Sequence, residues 1–222
     1  MLDGDTTPSA TAFYLMRHAP TEWNRAGRIQ GQADSPLTPV GRQWAARWGV
    51  RLAHFQIERL LTSDIGRAIT TVREMNTTLK RPVIVDARLR EQDWGRWTGC
   101  VHRLLRTEDA ATYARQQALG WHFRPPGGES HLEVLERAMV ALRNASTAYP
   151  GEHILVVAHE GVLKCLIYHL AIRDGCGHQP PAMAPYHLHH ILGFTHQLVL
   201  KRMNALDLNP GSGEPNRVGG TL

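Results

Sequence analysis

Two arginines and two histidines stand where this chain could do chemistry: Arg17, His18, Arg67 and His159. Each belongs to a short polar group placed at or just after an apolar run. Arg17-His18 follows Phe13–Met16 and runs into Pro20; His159-Glu160-Gly161 follows Ile154–Ala158; Arg67 closes Ser63-Asp64-x-x-Arg67 after Leu60-Leu61. Open α/β sheets bind ligands just beyond the carboxyl ends of their strands, so the three exits could converge on one sheet edge. Guanidinium and imidazole groups gathered there fit a phosphate held by charge-assisted hydrogen bonds. Arg67 falls in the first turn of its expected helix, where free amides and the helix dipole favour an anion. Taken alone, Arg17 and His18 read equally well as the solvated end of a core strand.

The elements that would position these groups follow from the apolar pattern. Phe13–Met16 is unbroken, as in a strand buried on both faces of a parallel sheet. Thr38-Pro39 reads as a helix start, followed by an apolar stripe of Val40, Trp44, Trp48 and Leu52, with the two tryptophans as core. Arg59–Thr62 and Pro82–Val85 read as strands. Between them a helix capped by Ser63-Asp64 would bury Ile65, Ala68, Ile69, Val72, Met75 and Leu79. Ser130-His131-Leu132-Glu133 is a capping box opening a helix that continues to about Tyr149. The pattern then gives a strand over His153–His159, a helix through Ala171, and edge strands at Tyr186–Phe194 and Gln197–Leu200. Strand, polar exit and helix thus recur three times, which predicts an α/β layered fold. The reading expects one domain over residues 1–208, a lid over 92–128 with a weakly helical Val101–Gln117, and a disordered tail over 209–222.

Composition narrows the function classes. The net charge is +5 with histidines neutral, and its basic side is nearly all Arg, with Lys only at 80, 164 and 201. No dense basic run occurs, so a modest anionic substrate explains the balance better than nucleic acid does. Cys100, Cys165 and Cys176 are an odd number with no Cys-x-x-Cys, which speaks against a disulfide framework or structural zinc. The polar start Met1–Asp5 lacks an export signal's order, and no stretch has the length of a membrane span. The expectation is a cytoplasmic protein with no membrane association.

In order along the chain, these residues resemble the histidine phosphatase (phosphoglycerate mutase-like) superfamily. Arg17-His18-Ala19-Pro20-Thr21-Glu22-Trp23-Asn24 is similar to its opening motif, and Arg28-Ile29-Gln30-Gly31 and Pro36-Leu37-Thr38-x-x-Gly41 continue it. Ser63-Asp64-x-x-Arg67-Ala68, Leu89-x-Glu91, Gly95-x-Trp97-x-Gly99, Pro126-Gly127-Gly128-Glu129-Ser130 and Val157-Ala158-His159 complete the set, which spans roughly residues 13 to 172. Any one motif is weak; the ordered set is specific. The resemblance implies a three-layer α/β/α sandwich with a mostly parallel central sheet. It implies His18 as a nucleophile forming phosphohistidine, with Arg17, Arg67 and His159 on the phosphoryl group. Glu91 would be the proton donor, with a raised pKa that burial beside Trp94 or Trp97 could supply. Asn24, Gln30, Gly31 and Thr21 would bind substrate. No cofactor and no metal is implied.

Two departures stand out. Ala19-Pro20 replaces Gly-Glu without touching the nucleophile, and Glu160 follows His159 where glycine is common. A carboxylate there could raise the pKa of His159 or repel highly charged substrates. The reading favours a metal-independent phosphatase of a small phosphorylated metabolite. Its alternatives are a phosphoglycerate mutase, for which 100–124 is short and its Arg103, Arg106, Arg115 and Arg124 scattered, and a non-catalytic phosphate-binding module. A zinc pair at His187 and His189, within a His-rich stretch that includes His178, His190 and His196, lacks accompanying carboxylate or cysteine ligands.

Overall fold

The computed structural model describes residues 9–174 and 182–210. Strand β1 (Thr11–Arg17) forms where the apolar run predicts it, and its pleat explains why that run is unbroken. Phe13 and Leu15 enter one hydrophobic core while Ala12, Tyr14 and Met16 enter another. Strand β4 (His153–Ala158) repeats the device, with Ile154, Val156 and Ala158 on one face and Leu155 and Val157 on the other. A strand in the middle of a two-faced sheet must be apolar at every position.

Six strands form one sheet in the order β3-β2-β4-β1-β5-β6, where β2 is Arg59–Thr62, β3 Val83–Val85, β5 His187–Gly193 and β6 Leu198–Asp207. β1 to β4 are mutually parallel; β5 joins β1 antiparallel and β6 joins β5 antiparallel. The first core packs α6 (His131–Ala148) and α7 (Glu160–Arg173) on one face of the sheet. The second packs α2 (Pro39–Leu52) and α3 (Gly66–Leu79) on the other, which makes the fold a three-layer sandwich. α1 (Glu22–Arg25) is a single turn whose Thr21–Asn24 capping box closes on itself.

Several details differ from the pattern-based reading. Val40 is 53% exposed and Ile69 38% exposed, so neither stripe reaches as far as its spacing implied. α3 has no side-chain cap from Ser63 or Asp64: Asp64 pairs with Arg90, and Asp34 from a distant loop accepts from the Arg67 amide. β6 runs on to Asp207, because cross-strand pairing with β5 sustains a stretch that has no clear alternation of its own. The segment 92–128 is built of α4 (His102–Glu108) and α5 (Ala110–Gln117), broken at Asp109, with short 3₁₀ turns on either side. Ile29, Trp97, Leu105, Tyr113 and Phe123 form a small core of their own beneath these helices. The expected tail lies outside the described residues beyond 210, as do His178 and Cys176. Among the described residues no helix is long and apolar enough to cross a membrane.

Candidate active site

β1, β2 and β4 end side by side, so Arg17, the α3 start and His159 meet at one sheet edge. Arg17 ends β1 and His18 follows it, buried to 2% exposure. The Nδ1 of His18 lies 2.8 Å from the Ala19 carbonyl, which can only accept, so Nδ1 carries the proton. Nε2 is left with its lone pair, and Arg67 Nε donates to it at 3.2 Å. The ring is neutral: burial, then the charges of Arg17 and Arg67, hold the His18 pKa well below its ordinary value. An imidazole whose Nδ1 proton is held by a fixed carbonyl, and whose Nε2 carries the lone pair beside a guanidinium, is arranged to act as a nucleophile.

Arg67, 1% exposed, donates from Nη1 to the Ala33 carbonyl at 2.7 Å and from Nη2 to the Gly31 carbonyl at 2.8 Å. Gly31 has φ +51° and sits against Trp94 and Thr98, where a Cβ would crowd both, so glycine is required at this turn. His159 is fully buried, with its ring 5.3 Å from that of His18. Both its ring nitrogens lack a protein partner among the described residues. Its pKa also lies well below the ordinary value, through burial first and then His18, Arg67 and Arg17. Glu160 does not raise it. That carboxylate turns away to Arg17 Nη1 and Lys164 Nζ, each at 2.5 Å.

Glu91 reaches the same edge from the loop after β3. Its Oε1 accepts from the Gln92 amide at 2.8 Å and its Oε2 from the Gly161 amide at 3.2 Å. A Cβ on Gly161 would strike the Glu91 carboxylate, so the approach to α7 depends on glycine there. Trp94 and Trp97 pack with Phe123, and Trp97 with Tyr113, in the small core beneath α4 and α5. Glu91 is thus held by backbone amides, not by the stacked indoles.

A cleft of about 1100 Å³ opens above these groups. Arg17, His18, Asn24, Gln30, Gly31, Arg67 and Glu91 line it, together with residues of the 92–128 segment that include Trp94, His102, Arg106 and Tyr113. Thr21 and His159 stand behind the wall, both fully buried. The Thr21 hydroxyl lies 3.0 Å from Asn24 Oδ1 and 3.1 Å from Gln30 Oε1; with one proton it donates to one at a time. Thr21 therefore acts on the cleft through Asn24 and Gln30. Among the described residues no three His, Cys, Asp or Glu side chains are grouped to hold a metal ion. His189 has Nδ1 engaged by the Asn204 amide at 3.2 Å, so His187 and His189 do not offer a matched pair.

Arg137 is the residue that sequence reasoning missed. From α6 it donates to the Arg88 carbonyl at 2.7 Å and the Glu91 carbonyl at 3.1 Å, and grips Glu129 with Nε and Nη2 at 3.0 and 2.9 Å. Glu129 Oε2 also accepts from the Asp93 amide at 2.9 Å. The pair clamps the backbone on both sides of Glu91. Gly128 permits this, since a Cβ there would collide with Asp93. The Gly-Gly-Glu sequence marked one half of the clamp; Arg137, inside an amphipathic helix, carried no signal.

Residues 13–206 match the histidine phosphatase superfamily (branch 1). The chain belongs to that family. It is 37% identical over 155 residues to a protein of Salmonella choleraesuis named "Probable phosphoglycerate mutase GpmB", covering 69% of this chain and 72% of that one. Among solved structures, Bacillus stearothermophilus YhfR superposes with a TM-score of 0.77 at 32% identity, covering 90% of this chain and 99% of that one. The alpha-ribazole phosphatase from Shigella flexneri superposes with a TM-score of 0.70 at 26% identity, covering 87% and 96%. The fold and family expected from the ordered motifs are thereby shown.

Proposed function

We propose that this histidine phosphatase superfamily member is a metal-independent phosphomonoesterase acting on a small phosphorylated metabolite. The observation that carries this reading is the His18 ring, neutral and oriented by Ala19, with Nε2 beside Arg67 and in reach of a cleft. In the first step Nε2 attacks phosphorus, the bond to the leaving oxygen breaks, and Glu91 passes its proton to that oxygen. Water then attacks the phosphohistidine, Glu91 takes a proton back, and phosphate leaves with His18 restored. Arg17 and Arg67 spread the equatorial charge and Asn24 offers Nδ2, with the neutral His159 ring standing behind them beside His18. Arginines fixed in place supply the charge that a metal ion supplies elsewhere. The name of the Shigella flexneri relative favours the phosphatase outcome. Free thiols at Cys100 and Cys165 favour a cytoplasmic setting.

The second reading, a mutase, is favoured by the name of the Salmonella choleraesuis relative. Two incubations separate them. With 3-phosphoglycerate and, separately, p-nitrophenyl phosphate, a phosphatase releases inorganic phosphate, and an acid-labile phosphate maps to the peptide containing His18. Conversion of 3-phosphoglycerate to its 2-phospho isomer without phosphate release would establish the mutase.

A further inference from the structure

The two carboxylates at the start of α7 are not equivalent. Glu91 Oε2 accepts from the amide of Gly161, and Glu160 is the residue immediately before that glycine. Glu91 and Glu160 both line the cleft, so Glu160 borders the space that a leaving alcohol must share with the proton donor. It lines the cleft, its side chain is 40% exposed, and its carboxylate bridges Arg17 Nη1 and Lys164 Nζ. Although burial opposes ionisation, Arg17 and Lys164 hold its pKa below the ordinary value, so the group is anionic at neutral pH. Lys164, a cation that could have gripped a second anion beside the ester, is thereby already matched. The remaining wall of the cleft carries the aromatic rings of Trp94, Tyr113, Trp121 and Phe123 beside the cations Arg28 and Arg106. Its volume of about 1100 Å³ far exceeds what a three-carbon acid fills. Arg106 stays on the 92–128 segment, its guanidinium 5.8 Å from the Tyr113 ring centroid.

We propose that Glu160 is a specificity-determining residue that selects phosphomonoesters of uncharged, ring-bearing alcohols and works against esters with a second anion close to the phosphate. The inference rests on the phosphatase reading for the direction in which the leaving group lies. Its physical basis is like-charge repulsion at a half-desolvated site, a device that discriminates by penalising the wrong ligand.

The test compares kcat/KM for p-nitrophenyl phosphate, a neutral ring ester, with that for 3-phosphoglycerate, in the intact protein and in Glu160→Gln. Glutamine keeps the shape and removes the charge, and its single acceptor oxygen can hold only one of Arg17 and Lys164, which the carboxylate engages through separate oxygens. The variant is expected to raise the acid-to-neutral ratio at least about tenfold, and Glu160→Asp to keep the original preference. A ratio unchanged in Glu160→Gln overturns the proposal. Calorimetric titration of inorganic phosphate and of 3-phosphoglycerate into both proteins reads the same discrimination without turnover. Absence of His18-dependent turnover of either ester would defeat the phosphatase reading, while the calorimetric ratio would still decide the role of Glu160.

Discussion

The proton on His18 Nδ1 is fixed by a backbone carbonyl, and the ring is kept neutral by burial and by Arg17 and Arg67. Two consequences follow for pH. His18 and His159 both lie well below their ordinary value of 6.5, so the unfolded chain binds these protons first as the pH falls. Stability is therefore fully present above about pH 6.5 and declines below it, toward the native pKa values. A melting series from pH 7 to pH 5 is expected to show a falling Tm, with a shallower fall in His18→Asn. The acid limb of kcat/KM that belongs to His18 is expected below pH 6.5 for the same reason. Glu91 was legible only through its motif context, because a lone glutamate in a polar loop carries no pattern of its own. The capture of Glu160 by Arg17 and Lys164 was not legible, because adjacency to His159 does not fix which way the carboxylate turns.

Among the elements, α6 reaches the cleft with His131 and serves the site from behind through Arg137. Arg137 fixes the carbonyls of Arg88 and Glu91, so its loss frees the loop that carries Glu91. Arg137→Met is expected to lower kcat for p-nitrophenyl phosphate by about ten- to a hundredfold with KM little changed, since small misplacements of a catalytic group cost rates of that order. A rise in KM alone would assign Arg137 to binding. Gly161→Ala pushes on the Glu91 carboxylate directly and is expected to act in the same direction. At the opposite end of the loop, the Ser130–Glu133 capping box starts α6, and Ser130→Ala is expected to cost about 1 kcal/mol in urea unfolding. That box was readable because its four-residue signature is local. The cap on α3 was not, because Asp34 arrives from a loop more than thirty positions away.

At the scale of the molecule, the parallel strands were readable because burial on both faces forces unbroken apolar runs. β6 and the 92–128 segment were not, since one is sustained by its neighbour strand and the other by a satellite core of five buried residues. That core is separate from the two that sandwich the sheet, so α4 and α5 are expected to open at lower free energy than α6 and β4. Hydrogen exchange would read this as earlier labelling of residues 102–117 than of 153–158. Equal protection would make the segment part of the main cooperative unit. All of the account's chemistry passes through one nitrogen, and the most direct measurement is hydrolysis of p-nitrophenyl phosphate in excess chelator by the wild type beside His18→Ala. Turnover that resists the chelator and is lost in the variant is the expected result; turnover that survives His18→Ala would contradict the assignment of the nucleophile.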